Sequence, residues 1–135
     1  MEQQNQIVTT ILIVEDHLPT LMAVQRLVSA AFPACRMLAA ESGEQALELC
    51  GRHAPRIVVM DIVLPGMDGI EATRRIKSLL PDTCVVMHSS HDLQIYRDAA
   101  AAAGASAFVP KIKTFSDLVP AIAGLLPPSP PSGGE

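Results

Sequence analysis

The sequence predicts an α/β fold in which a five-stranded parallel sheet carries helices on both faces. Short apolar runs without polar alternation recur along the chain, and helical patterns lie between them. Continuous apolar strands are typical of a parallel sheet that is covered on both sides. Their regular alternation with helices favours parallel strands joined by helical connections. The 135 residues, 49% of them hydrophobic, are enough for one globular domain with its own core.

Four apolar runs and one weaker segment predict the five strands. In chain order they cover 11–14, 36–39, 57–60, 84–87 and 107–109, and the second of these is the weaker one. The strong runs are rich in Val and Ile and stop abruptly at polar residues or at proline.

Apolar residues at helical spacing and capping residues predict five helices. They cover 20–32, 42–50, 68–80, 93–103 and 116–126. Pro19 fits the first turn of the first helix, and Ser42 begins a capping box at the second. Gly104 follows the fourth helix as a C-terminal glycine. We expect Ser116 to cap the last helix, with Pro120 in its first turn.

Composition shifts divide the chain into three parts. Residues 1–9 are predicted to be an N-terminal extension, 10–126 the domain, and 127–135 (PPSPPSGGE) a linker or disordered tail. The first residues lack the features of a secretory signal, and no apolar run approaches the ~20 residues of a membrane helix. We therefore expect a cytoplasmic protein that does not enter a membrane.

Charge and cysteine usage narrow the class further. The net charge of −4 argues against a nucleic-acid surface in this segment, because phosphate backbones attract clustered Lys and Arg. Cys35, Cys50 and Cys84 have no CxxC spacing, so neither a disulfide framework nor a zinc site is predicted. Buried, reduced thiols fit the reducing cytosol.

Polar residues follow four of the predicted strands, at the edge where open α/β sheets bind their ligands. They are Glu15, Asp16, Asp61, Ser89 and Lys111. If the strand order is 2-1-3-4-5, three carboxylates converge there and repel one another. Mg²⁺ would resolve this conflict, since it prefers oxygen ligands and pairs with phosphate. Lys111 and Ser89 would then contact phosphoryl oxygens, and Asp61 would be the nucleophile.

Each of these residues alone is more often an ordinary loop or surface residue. A single acid at a strand end is usually solvated, and a single lysine there is usually a surface charge. The functional interpretation depends on all of them meeting at one edge. His88 lies in an apolar run and is interpreted as a core or interface histidine ahead of a catalytic one.

The segments ILIVEDH, VVMDIVLPGMDGIE, VVMHSSHD and GASAFVPK resemble, in order and spacing, the receiver domain of two-component response regulators. The resemblance covers about residues 10–126 and is greatest to the LuxR/NarL-type subfamily. It implies a flavodoxin-like receiver fold with strand order 2-1-3-4-5. It also implies Mg²⁺ held by Glu15, Asp16, Asp61 and the backbone carbonyl of Val63, with Asp61 as the phosphoacceptor.

The resemblance further implies that Ser89 and Phe108 are the switch residues and that Lys111 assists phosphoryl transfer. Val63 and His91 occupy positions that tune dephosphorylation in the family. Because the Val63 side chain cannot hydrogen-bond an attacking water, we expect a phosphoryl state that lasts minutes or longer.

The partners implied are a sensor histidine kinase and a second copy of the receiver in a homodimer. Contact with DNA would need an output domain, which this chain lacks, so transcriptional control is expected only indirectly. The chain is either a stand-alone receiver or one that was cut in its linker.

Four rival hypotheses differ in what they need from the sequence. A haloacid-dehalogenase-type phosphatase needs a second acid where Val63 stands, and a flavin binder needs a phosphate-binding loop where Glu15-Asp16-His17 stands. A P-loop nucleotidase needs GxxxxGK[ST], which is missing. A degenerate receiver that serves only as a dimerisation module predicts the same fold, but the complete set of site residues argues against it. We therefore expect a switch and not a turnover enzyme.

Overall fold

The computed structural model describes residues 8–127. The predicted extension at 1–9 and the predicted tail at 127–135 lie almost entirely outside the described residues.

Five parallel strands form one sheet in the order β2-β1-β3-β4-β5, which confirms the predicted architecture. The strands are β1 (Thr10–Val14), β2 (Arg36–Ala40), β3 (Ile57–Met60), β4 (Cys84–Ser89) and β5 (Ala107–Pro110). Strand β4 is two residues longer than its apolar run, because His88 and Ser89 continue the pairing with β5. The edge strands are therefore β2 and β5, and β1 and β3 lie side by side within the sheet.

The α-helices are α1 (Leu18–Ala31), α2 (Gly43–His53), α3 (Gly69–Leu79), α4 (Gln94–Ala103) and α5 (Val119–Leu125). The hydroxyl of Ser42 accepts a hydrogen bond from the Gln45 amide at 3.1 Å, which confirms the predicted cap. Gly104 ends α4 with a φ of 107°, in the left-handed region that favours glycine. Local sequence signals thus set most helix ends.

The prediction that Ser116 caps the last helix was wrong. The chain is already helical after β5, with a 3₁₀ turn (Lys111–Lys113) and a π-helical turn (Thr114–Leu118) leading into α5. The Ser116 hydroxyl instead lies 2.9 Å from Asp117 Oδ1 and 3.3 Å from the carbonyl oxygen of Lys113, the two acceptors for its proton. Pro120 has no N–H to donate to the carbonyl four residues earlier, so the regular α-helical hydrogen bonding is interrupted just before it. As predicted, Pro120 lies in the first turn of α5.

Two apolar layers hold the helices against the sheet. One face packs on α2, α3 and α4 through buried residues such as Cys50 and Ile76, and the other packs on α1 and α5 through Val28 and Ile122. Each fully buried aliphatic side chain contributes about 1.5–3 kcal/mol, so these layers supply the main stabilisation. The three cysteines are free, but only Cys50 is fully buried, which corrects the expectation that all three would be.

Within residues 8–127, no helix has both the length and the apolar character that crossing a membrane would require.

Candidate functional site

The backbone of two central strands brings Glu15 and Asp61 together. Val14 and Met60 are paired across β1 and β3, so the next residue of each strand lies at the same level. The amide of Asp61 donates to Val14 O at 3.1 Å, and the amide of Glu15 donates to Ala40 O at 3.0 Å. Both carboxylates are thus placed by the sheet itself and not by a mobile loop.

Three carboxylates meet at this edge as the sequence predicted. Glu15, Asp16 and Asp61 each place a carboxylate oxygen within 4.8 Å of the others. Glu15 and Asp61 are only 2% and 5% exposed, whereas Asp16 is exposed to solvent. Oxygen ligands at this spacing suit a hard divalent cation, which would also offset their mutual repulsion.

The side chain of Lys111 reaches this cluster from the end of β5. Its Nζ lies 3.0 Å from Asp61 Oδ2 and 2.8 Å from Glu15 Oε1. Burial alone would lower the pKa of Lys111, but its close contacts with the two carboxylates and the attraction of their charges outweigh burial and raise its pKa above the ordinary value. The ammonium group therefore stays charged and balances part of the negative charge.

Glu15 has the least favourable electrostatic environment of the three carboxylates. Burial raises the pKa of its carboxyl, Lys111 opposes that shift, and the charge of Asp61 adds to it. Its Oε2 accepts a hydrogen bond from the His17 amide at 3.1 Å. Its Oε1 is buried without a hydrogen-bond partner, since the short contact with Lys111 is an ion pair outside hydrogen-bond geometry. A buried oxygen in this condition is costly, and a bound cation would satisfy it.

Ser89 ends β4 beside the cluster and is fully buried. Its Oγ accepts a hydrogen bond from the His91 amide at 3.0 Å. A hydroxyl also carries one proton to donate, and among the described residues that proton has no acceptor. Ser89 is thus a free donor at the edge where the carboxylates meet.

Phe108 is half-buried in β5 and makes a contact that the sequence did not indicate. The guanidinium of Arg97 lies 4.6 Å from the centre of its ring, and the same group pairs with Asp92 at 2.6 Å. Such a cation–π contact contributes about 0.5–1 kcal/mol when it is exposed. Arg97 therefore links the loop after β4, helix α4 and the ring of Phe108.

The loop after β3 closes tightly behind Asp61. The amide of Gly69 donates to Ile62 O at 2.7 Å, which brings the start of α3 back against the end of the strand. Val63 lies at the rim of this loop with 51% of its side chain exposed. The exposed side chain near Asp61 on this loop is therefore that of Val63, which is short and has no polar group.

A second contact missed by the sequence analysis lies beneath Lys111. His88 Nε2 is 2.7 Å from Thr114 Oγ1, and that hydroxyl donates to the carbonyl of Lys111 at 2.6 Å. Burial, aided by the charge of Lys111 and opposed by that of Asp61, lowers the pKa of His88 to about 4. The only signal in the sequence was a histidine inside an apolar run.

Carboxylates and a lysine at the carboxyl edge of a 2-1-3-4-5 parallel sheet define a receiver-type signalling domain. The family model for the response regulator receiver domain matches residues 11–123. The chain belongs to this family.

Individual relatives agree with that assignment. The chain is 34% identical over 122 residues to the transcriptional regulatory protein DegU of Brevibacillus brevis, covering 90% of this chain and 51% of that protein. It is 41% identical over 76 residues to a protein-glutamate methylesterase/protein-glutamine glutaminase of Cupriavidus pinatubonensis, covering 56% of this chain and 22% of that protein. The chain thus spans about half the length of DegU and a smaller share of the methylesterase.

Among solved structures, the chain is similar to a LuxR-family two-component response regulator from Aurantimonas sp. SI85-9A1. The TM-score is 0.81 at 33% identity, over 87% of this chain and 84% of that one. The predicted similarity to LuxR/NarL-type response regulators is confirmed, and the chain is a receiver domain of that kind.

Proposed function

We propose that Asp61 accepts a phosphoryl group from a sensor histidine kinase, and that this modification switches the domain between two conformations. The observation that carries the proposal is the placement of Lys111 Nζ 3.0 Å from Asp61 Oδ2 at an edge where three carboxylates meet. The three carboxylates can hold a divalent cation, and the lysine and Asp61 can act on one phosphoryl group.

Mg²⁺ is the cation that the donor set fits best. Glu15, Asp16 and Asp61 would hold it together with the backbone carbonyl of Val63, and the orphaned oxygen of Glu15 would gain a partner. Bound there, Mg²⁺ supplies charge neutralisation for the carboxylates and for an incoming phosphoryl group.

In the transfer step, a carboxylate oxygen of Asp61 forms a bond to phosphorus. The bond between phosphorus and the kinase histidine nitrogen breaks, and that nitrogen keeps the electron pair. The chain contributes position and charge, since the sheet fixes Asp61 while Lys111 and the Ser89 hydroxyl face the oxygens that gain charge. The product is an acyl phosphate on Asp61.

The added charge of about −1.5 to −2 would draw the Ser89 hydroxyl toward the phosphoryl oxygens. The Ser89 hydroxyl is hydrogen-bonded to the amide of His91, so this movement would displace the loop after β4. The same loop holds Arg97 through Asp92, and Arg97 covers Phe108. Phe108 would then change its packing, which is a population shift biased by a local charge.

The wider role follows from the relatives, whose names include transcriptional regulators. We place the receiver at residues 10–126 and a linker at 127–135, in a cytoplasmic protein that controls an output domain or a separate partner. A homodimer through the receiver fits this role, and contact with DNA would occur only through an output domain. The domain is a switch that modifies itself and does not turn over a substrate.

The test is incubation with Mg²⁺ and a small phosphodonor such as acetyl phosphate, followed by intact mass measurement. We expect the wild type to gain the mass of one phosphoryl group and Asp61→Asn to gain none. Asp68→Asn is the matched control, because Asp68 only caps α3 and asparagine caps equally well. A wild type that stays unmodified would favour the alternative, a degenerate or stand-alone receiver that acts as a dimerisation module.

A further inference from the structure

Behind the carboxylate cluster, a chain of two hydrogen bonds connects strand β4 to the residue that carries the site's ammonium group. His88 Nε2 lies 2.7 Å from Thr114 Oγ1, and Thr114 Oγ1 lies 2.6 Å from the carbonyl oxygen of Lys111. None of these contacts touches the reacting atoms, and the phosphoryl-acceptor function proposed above does not use them.

The direction of the hydrogen bonds follows from the atoms involved. A backbone carbonyl only accepts, so the single hydroxyl proton of Thr114 is donated to Lys111 O. Thr114 Oγ1 must therefore accept its second hydrogen bond, and His88 Nε2 must donate it. His88 is thereby fixed with its proton on Nε2.

The two side chains that form these hydrogen bonds, those of His88 and Thr114, belong to regular elements at the end of the sheet. His88 is 3% exposed and is held in β4, where it pairs with Val109 of β5. Thr114 lies in the π-helical turn that follows β5, so it is separated from the sheet by a single 3₁₀ turn. A backbone carbonyl tied to a buried side chain loses most of its freedom to move.

The carbonyl that is held belongs to the same residue whose Nζ contacts Glu15 and Asp61. Lys111 has a flexible side chain of four methylene groups, and its position depends on where its backbone begins. Pro110 ends β5, and the helical turns begin at Lys111. The Lys111 carbonyl accepts a hydrogen bond from the Thr114 amide as well as from the Thr114 hydroxyl, and only the hydroxyl also contacts His88 in β4. The hydroxyl therefore ties the point from which the lysine reaches the carboxylates to the sheet.

We propose that His88 and Thr114 are positioning residues for Lys111, which place its ammonium group against Glu15 and Asp61 through the hydrogen bonds to the Lys111 carbonyl. The inference rests on the phosphoryl-acceptor function proposed above and deepens it. The two hydrogen bonds also connect strand β4, which carries Ser89, to the lysine that follows the neighbouring strand β5.

The test compares variants that break the hydrogen bonds with variants that keep them. Thr114→Val and His88→Leu remove the hydroxyl and the imidazole donor at nearly constant volume. Thr114→Ser keeps the hydroxyl, and His88→Gln keeps an N–H donor at a similar reach. Thr83→Val is the matched control, because the Thr83 hydroxyl also donates to a backbone carbonyl at 2.6 Å, at the opposite end of the sheet.

With acetyl phosphate and Mg²⁺, we expect Thr114→Val and His88→Leu to take up phosphoryl groups about five- to tenfold more slowly than the wild type. Thr114→Ser and His88→Gln should stay within about twofold, as should Thr83→Val. Thermal unfolding of all five variants separates slow uptake from general loss of structure. Equal slowing by Thr83→Val would overturn the proposal.

A second measurement does not depend on phosphoryl transfer. Nitrogen-15 spectra of the imidazole should show His88 protonated on Nε2 at neutral pH. Mg²⁺ titration should show Thr114→Val binding the ion more tightly than the wild type, because a displaced lysine competes less for the carboxylates. Lys111→Met sets the upper limit of that gain.

The outcomes distinguish the two proposals. A wild type that takes up no phosphoryl group contradicts the proposed function, while the Mg²⁺ titration and the spectra still test the placement of Lys111. A wild type that is modified, together with a Thr114→Val variant that matches it in both uptake rate and Mg²⁺ affinity, contradicts the positioning role alone.

Discussion

A Cβ atom at position 69 would lie 1.9 Å from the carbonyl oxygen of Asp61. The Cα of Gly69 therefore packs directly against the peptide group of the residue that we propose accepts the phosphoryl group. The hydrogen bond from the Gly69 amide to Ile62 O, at 2.7 Å, keeps the two segments this close. Glycine is needed here for close approach and not for a positive φ.

Gly69→Ala should destabilise the protein by about 1–3 kcal/mol or more, because the new methyl group meets backbone that cannot move aside easily. The measurement is chemical denaturation, with phosphoryl uptake followed in parallel. Gly51→Ala is the control, since Gly51 lies inside α2 with nothing within 4 Å of the added Cβ. That variant should be as stable as the wild type or more stable by about 0.5–1 kcal/mol. Equal behaviour of the two variants would contradict the packing argument.

The strands and most helix ends were predictable because their signals are local. The run at Ile57–Met60 is short and mostly β-branched, which favours a buried strand, and the glycine at position 104 marks a left-handed helix end. The last helix was mispredicted at Ser116 because the turns that follow β5 are stabilised by Thr114 and by packing, which the sequence does not display. A serine before an apolar run resembles a cap whether or not the chain is already helical.

The sequence predicted which residues meet at the candidate site, but not the hydrogen bonds and packing contacts around them. Side chains at the carboxyl ends of neighbouring parallel strands lie close together, so Glu15 and Asp61 could be placed together on the condition that the strand order was 2-1-3-4-5. The hydrogen bond from His88 to Thr114 joins residues that are distant in sequence, and the contact of Gly69 with Asp61 depends on how the intervening loop closes. Such contacts depend on tertiary packing at the level of tenths of an ångström, for which single residue types give no signal.

Lys111→Met should leave the carboxylate cluster without its cation. In buffer with EDTA at neutral pH, we expect stability to fall by about 2 kcal/mol, because Glu15 and Asp61 remain buried and unpaired. Mg²⁺ should then stabilise the variant more than it stabilises the wild type, since the ion no longer competes with the lysine. Thermal unfolding with and without Mg²⁺ measures both effects.

Lys113→Met is the matched control for this experiment. Lys113 is exposed, carries the same charge, and forms no ion pair with any residue between 8 and 127. Its removal should change stability by no more than about 0.5 kcal/mol in either buffer. A Lys111→Met protein that gains no more from Mg²⁺ than the wild type would show that the lysine and the ion do not share the carboxylates.

His88 predicts a specific dependence of stability on pH. Its ordinary pKa of 6.5 applies to the unfolded chain, and burial, aided by Lys111 and opposed by Asp61, lowers the folded pKa to about 4. As pH falls below 6.5, the unfolded chain binds a proton that folded His88 does not bind, so stability decreases until about pH 4 and then levels off. This part of the loss is about 3 kcal/mol in total.

The carboxylates titrate in the same range, so the His88 contribution is read from differences between variants. The free energy of unfolding of the wild type minus that of His88→Gln should fall by about 3 kcal/mol from neutral pH to pH 4. His88→Leu should give a difference curve of the same shape, because both substitutions remove the imidazole. A difference that stays constant over this range would mean that folded His88 binds a proton as readily as it does in the unfolded chain.

The lifetime of the phosphoryl group should depend on Val63. The side chain of Val63 is 51% exposed at the rim of the loop behind Asp61, and it offers a water molecule no hydrogen bond. Hydrolysis of the acyl phosphate needs a water oriented toward phosphorus, so we expect the modified state to last minutes or longer after the phosphodonor is removed.

Val63→Asn supplies an amide that can hold this water, and it should shorten the lifetime about tenfold or less, since one hydrogen bond contributes about 0.5–1.5 kcal/mol. Val63→Thr, which keeps the branched shape and adds a shorter polar group, should fall between the two. Intact mass followed over time after removal of the donor gives the three decay rates. A wild type that loses its phosphoryl group within seconds would contradict the assigned role of Val63, because an apolar side chain at this position would then leave hydrolysis unhindered.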